Sequence, residues 1–319
     1  MPKASRQFTI HPLLPAVLLL GLCGAAQAEK LPLVDPPPGK VLLVAQPHHD
    51  DHTTDYGLAG LVTRFIDAGY KAYYVRGSND EKDGSHGYPR NDMINLKETY
   101  DAIRILGMED HITSLNWRNN YETSYPLNQL REQLIFLVRK YKPDAVVGHS
   151  GWEHYQKNPG HRNLGWLYEE AFWMAGYRNV HPEHFEMGVE PHEVYHHFGK
   201  ARLDWGLGHR PNVIIEMNEA QVKLKEKAIH AHQNVYGNPG GARAMKARLA
   251  SKGLYLPEFE NIDDDTAAGN MMLEWHMNWI SRRWGKEADV KYGEDYYYMD
   301  EFYHLPGLKK FLAENVEKK

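Results

Sequence analysis

The residues His48-His49-Asp50-Asp51-His52 place three imidazoles and two carboxylates in a row, directly after Pro47 and the apolar run Val41-Leu42-Leu43-Val44-Ala45. Such groups cannot all be structural where a buried strand ends. They can supply two ligands for a divalent metal and leave one carboxylate as a base. A second loop bearing histidines, residues 149–161, follows another apolar run and can supply the rest. Hydrolytic zinc usually takes three protein ligands from His, Asp or Glu and keeps one position for water. His48 and Asp51, three apart in one tight loop, can converge on one ion, and His161 would complete the set. Asp50 would then sit beside the metal without binding it, placed to take a proton from water.

These loops need elements that bring them together. Apolar strands at 41–45, 71–76, 112–116 and 145–148 alternate with amphipathic helical segments at 53–69, 91–107, 127–141 and 162–177. Residues 192–198 and 212–217 look like further strands, and 218–233 like a Lys/Glu-rich helix. The alternation predicts an α/β fold, a Rossmann-like three-layer sandwich with a mostly parallel sheet. In such sheets ligands sit beyond the carboxyl ends of the strands, where the strand order reverses. If the first and fourth strands flank that point, the loops at 46–52 and 149–161 face each other. After the turn-rich break at 237–241 the pattern loosens, and residues 237–319 read as a C-terminal extension packed on the 29–236 domain.

Lys3 and Arg6, the apolar stretch 13–22 and Ala26-Gln27-Ala28 read as a secretory signal peptide over residues 1–28, which predicts a periplasmic or secreted protein. Cys23 is the only cysteine, so a core rather than disulfides must hold the exported chain, and about 290 residues suffice for one. No later run has membrane length. A formal charge of −5 gives no basic footprint for nucleic acid, whereas 19 histidines are raw material for metal sites.

The ordered set resembles the PIG-L/LmbE-like family of zinc N-deacetylases. It comprises strand–His48-x-Asp50-Asp51, then Pro143-Asp144-Ala145-Val146 and His149, then Asn158-Pro159-Gly160-His161. Residues 212–216 and the Lys-rich helix ending at Ala231-His232 also fit. The resemblance spans roughly residues 40–236. It implies a divalent metal, normally zinc, held by His48, Asp51 and His161, with Asp50 as general base. It also implies hydrolysis of an N-acetyl group on an N-acetylglucosamine-type sugar in a glycan or glycoconjugate. The chain departs from the family at His49, usually Pro, and at His52, usually acidic. It also carries Asn158 where the last motif commonly has a first histidine. Asn158 can donate a hydrogen bond to an oxyanion but delivers no proton at neutral pH. His154, His49 or His52 would have to do that work.

Other residues carry two readings each. His49 and His52 are loop histidines that are either solvated or functional; His149 lines the pocket or bonds to backbone. His232 is a pocket histidine or a partner for its helix C-terminus. Arg76 and residues 79–83 contact sugar hydroxyls or form an ordinary polar loop. Trp152 and Tyr155 stack on a sugar or pack, and the aromatic stretch 296–303 is core, lid or glycan surface. Two rival functions remain: an amidase removing a larger acyl group, and a metal- or glycan-binding protein that lost its acid at Asn158.

Overall fold

The computed structural model describes residues 30–53, 57–119, 126–151, 158–200, 211–236, 240–260, 262 and 264–316. The strands are β1 Val41–Gln46, β2 Lys71–Ser78, β3 Ile112–Trp117, β4 Ala145–His149, β5 His196–Lys200, β6 Val213–Glu216 and β7 Gly293–Met299. The longer helices up to residue 230 are α1 Ala59–Asp67, α2 Arg90–Leu106, α3 Leu127–Tyr141, α4 Pro159–Met174 and α6 Glu219–His230, with the short α5 Glu183–Glu186 between α4 and β5. Then come α7 Gln233–Tyr236, α8 Gly240–Ala250, α9 Pro257–Glu260, α10 Asp265–Lys286 and α11 Pro306–Asn315. The expected signal segment and the residues Trp152, His154 and Tyr155 lie outside the described residues. Among the described residues no helix is long and apolar enough to cross a membrane.

One seven-stranded sheet runs in the order β3-β2-β1-β4-β5-β7-β6. Strand β1 pairs in parallel with both β2 and β4, so the chain steps to one side after β1 and to the other after β3. This is the order reversal that the site requires. Alternate residues of β1 explain why both faces are covered. Leu42 and Val44 join one apolar cluster with Leu61 and Phe65 of α1, Ile103 of α2 and Ala228 of α6. Leu43 and Ala45 join a second with Leu134 and Val138 of α3 and Leu164 and Tyr168 of α4. The result is the three-layer α/β sandwich.

Two elements differ from the sequence expectation for a physical reason. The segment after residue 236 does more than pack on the domain: β7 runs antiparallel between β5 and β6 and bonds to both. The first helix starts at Ala59 rather than at 53. Thr53 is turned back, its N–H and Oγ1 donating to the Asp50 carbonyl (2.9 and 2.8 Å). The N-terminus of α1 is capped instead from β7, where the Glu294 carboxylate accepts from Leu61 N (2.8 Å). An anion at a helix N-terminus satisfies orphan N–H groups and the positive end of the helix dipole.

Glu294 is itself buried. It accepts from Lys225 Nζ and from the Tyr296 hydroxyl, both at 2.5 Å. Burial would raise its pKa, but Lys225 and Lys200 more than offset this and hold it low. Glu294→Gln strips the buried Lys225 of its counter-charge and should cost about 3 kcal/mol. The check is urea unfolding, where the midpoint should fall at constant slope and be partly restored by adding Lys225→Met. An unshifted midpoint would mean that the pair does not anchor α1.

Candidate metal centre

The loop that follows β1 is fastened along its backbone by its neighbours. The carbonyl of Gln46 accepts from the Tyr168 hydroxyl (3.1 Å), that of Pro47 from Ser78 N (2.8 Å) and that of His48 from the Tyr74 hydroxyl (3.0 Å). The His49 carbonyl accepts from Thr99 Oγ1 (3.2 Å), and the His52 carbonyl from Leu58 N (3.0 Å). With Thr53 on the Asp50 carbonyl, β2, α2, α4 and Leu58, the residue that precedes α1, all hold this loop. Ligands carried on a backbone so constrained keep their geometry before anything binds.

The opposing loop delivers His161 on the first turn of α4. Asn158 is the N-cap, its Oδ1 accepting from Gly160 N (2.8 Å), and Pro159 occupies the first helical turn, where its missing N–H costs nothing. A Cβ at position 165 would lie 2.8 Å from the Ser150 carbonyl, so glycine there lets α4 approach the end of β4. Capping thus occupies the oxygen of Asn158, the residue expected to stabilise an oxyanion.

The two loops meet. His48 Nδ1 lies 3.0 Å from Asp51 Oδ2 and 3.0 Å from His161 Nε2, and His161 Nε2 lies 3.1 Å from Asp51 Oδ1. Backbone N–H of His48 also donates to Asp51 Oδ2 (2.9 Å), which fixes the carboxylate. All three side chains are buried. Burial would raise the Asp51 carboxyl, but His161 and His48 outweigh it and hold it well below the usual carboxylate range. The fit to a cation can be judged from these distances. Tetrahedral bonds of about 2.0–2.1 Å place ligand atoms about 3.3 Å apart, close to the observed spacing. Two imidazole nitrogens and one carboxylate are also the donor set that suits a borderline-soft divalent ion.

Asp50 sits next to this trio. The Tyr236 hydroxyl donates to its Oδ2 (2.5 Å), and His49 Nδ1 lies 3.8 Å from its Oδ1. Burial raises its pKa to about 6, with Asp51 and Asp80 adding and His49 opposing. A cation held alongside would push it back down. His149, at the end of β4, packs its ring 4.4 Å from that of His161, and burial lowers its pKa to about 3, so it is neutral.

The residues expected to contact substrate sit deep in the fold. His49 and His232 are fully buried and pack edge to face, ring centroids 5.2 Å apart. His49 Nδ1 is held by the Asp80 carboxylate. Burial would lower its pKa, yet Asp50 and Asp80 raise it. Arg76 is buried too, its Nε donating to Ser114 Oγ (3.1 Å). Asp80, within the 79–83 loop considered for sugar contacts, instead partners His49, and two further residues, Glu98 and Tyr236, have no signal in the sequence. Each of these two stands on a helix with no local pattern to mark it.

The chain resembles known proteins in sequence and in fold. Residues 43–172 match the family model described as PIG-L, GlcNAc-PI de-N-acetylase. A diacetylchitobiose deacetylase of Thermococcus kodakarensis is 25% identical over 201 residues, 62% of this chain and 70% of that protein. The structure of the N,N'-diacetylchitobiose deacetylase of Pyrococcus horikoshii superposes with a TM-score of 0.61 at 23% identity, over 84% of this chain and 86% of that one. A 4-carboxy-2-hydroxymuconate hydratase of Pseudomonas putida superposes with a TM-score of 0.57 at 16% identity, covering 81% and 95%. The two structures share the fold while catalysing unlike reactions, so the fold alone does not select the chemistry.

Proposed function

Because this chain belongs to the PIG-L/LmbE-like family, we propose that it is a zinc-dependent amide hydrolase removing the acetyl group from N-acetylglucosamine-type sugars of a glycan or glycoconjugate. The observation that carries the reading is the meeting of His48, Asp51 and His161 with Asp50 beside them and outside the trio. A binding site would need the three ligands; it would have little use for the fourth group.

His48 Nδ1, Asp51 and His161 Nε2 would hold the zinc. Zinc in such a place supplies Lewis acidity, lowering the pKa of water and polarising an amide carbonyl. Asp50 Oδ1 takes a proton from the attacking water, while Tyr236 pins Oδ2 and so orients the carboxylate. The same carboxyl is in place to pass that proton to the departing nitrogen, a task that Asn158 cannot perform. Water and the N-acetyl group are thereby converted to acetate and a free amine.

Export to the periplasm or beyond is part of this reading, supported by the basic, apolar and small-residue segments of residues 1–28. It favours an envelope or extracellular glycan.

The test is a substrate panel with zinc-loaded protein: N-acetylglucosamine oligomers of increasing length, and the same sugars carrying longer acyl groups. Acetate should be released from the acetylated oligomers at least about tenfold faster than longer acids from their counterparts, since one misfitting methylene costs about 1–3 kcal/mol. Preference for longer acids would make the protein a general amidase. Saturable sugar binding with no acid released would make it a binding protein.

A further inference from the structure

Next to the proposed metal-binding trio lies a second group of ligand-type atoms that the proposed chemistry does not use. His49 Nδ1 is bonded to Asp80, which turns the opposite nitrogen, Nε2, away as the atom available to a ligand. A carboxylate on one ring nitrogen is the arrangement that orients metal-binding histidines. His49, Glu98 and His232 bring one donor atom each within 4.8 Å of one another, all from buried side chains. Glu98 is fixed through its other oxygen, Oε1, which accepts from Asn234 N (2.8 Å). His52 faces the same spot, its ring 5.5 Å from that of His232.

The polar bookkeeping is what demands an explanation. His49 Nε2, Glu98 Oε2 and both ring nitrogens of His52 and of His232 are buried with no hydrogen-bond partner among the described residues. Native interiors leave few such groups, and a cluster of them marks a missing ion or water. Three imidazoles and one carboxylate are donor types that suit an ion better than water, because each ring in its neutral form presents a lone pair. The carboxylates of Asp50, Asp80 and Glu98 supply the negative field that a divalent cation would meet. Two of these histidines, His49 and His52, are the positions at which the chain departs from its family.

We propose that His49, Glu98 and His232, with His52 beside them, bind a second divalent cation of the zinc type, distinct from the one held by His48, Asp51 and His161. The site is closed, and its ligands come from the loop after β1, from α2 and from the turn between α6 and α7. A cation there ties these three segments together and steadies the loop that carries both Asp50 and the first site. Closed sites of this kind are structural.

Counting zinc in the full-length protein, loaded with zinc chloride and then freed of excess, tests this. The wild type should carry two ions per chain. Glu98→Gln keeps the oxygen that accepts from Asn234 and should carry one, as should His232→Gln. His161→Ala should also carry one, and Glu98→Gln with His161→Ala none. The surface group Glu132, His181, Glu183 and His184 could also take zinc, so His181→Gln serves as a control and should keep two. Adding zinc should raise the melting temperature of His161→Ala but not of the double variant. One ion in the wild type, lost only with His161→Ala, would overturn the second site and leave the proposed function standing. One ion lost with Glu98→Gln but kept in His161→Ala would do the reverse. Loss of the second ion in His181→Gln would place it on the surface and refute the proposal. Should Glu98→Gln fail to fold, His232→Gln and the wild-type count decide.

Discussion

Asp50→Asn should abolish acetate release, lowering kcat by about a thousandfold, while leaving the zinc content of the protein unchanged. The substitution keeps shape and size, and the side-chain oxygen can still accept from the Tyr236 hydroxyl 2.5 Å away. What disappears is the basic carboxylate, since a carboxamide has no basic lone pair at neutral pH. Removing a positioned general base costs about 10²–10⁴-fold, and Asp50 is asked here to both take and return the proton, which argues for the upper part of that range. Metal content is the necessary companion measurement. Loss of zinc together with activity would make Asp50 a ligand, and full activity would remove it from the mechanism.

His161→Ala should act on the other half of the site. Its Nε2 lies 3.0 Å from His48 Nδ1 and 3.1 Å from Asp51 Oδ1, so its removal opens one corner of a three-atom set. Even residues that merely orient metal ligands are worth about 10–100-fold in affinity, so loss of a ligand should weaken zinc at this site by more than about a hundredfold. In zinc buffered near the wild-type dissociation constant the variant should be inactive. Raising free zinc should restore part of the activity, which separates a ligand from a residue whose loss unfolds α4. Unchanged zinc affinity would contradict the assignment.

How much of this was readable without coordinates follows from where each signal resides. The trio was legible because ligand-type residues cluster at strand ends: His48 and Asp51 after one apolar run, His161 shortly after another. The pairing of β1 with β4 was legible in outline, since strand–helix alternation leaves few sheet orders and only some bring the two loops together. Strand β7 was not. Its Glu294 and Asp295 are buried, paired with Lys225 and Lys200, so the strand lacks the apolar run that marks an interior strand of a sheet. The start of α1 was hidden for the same reason, because its cap is Glu294, more than two hundred residues away in the chain. His49 and His232 were read as substrate contacts because a loop histidine and a histidine at a helix end give no hint of depth. Only the packing of α2 and α6 around the loop shows both to be fully buried.

The central claim is that His48, Asp51 and His161 converge on one cation. Anomalous scattering measured on either side of the zinc absorption edge, from crystals grown with zinc, tests it directly. A peak should lie within about 2.0–2.2 Å of His48 Nδ1, an Asp51 carboxylate oxygen and His161 Nε2. Density for all three side chains with no peak between them, in crystals of zinc-loaded protein, would contradict it.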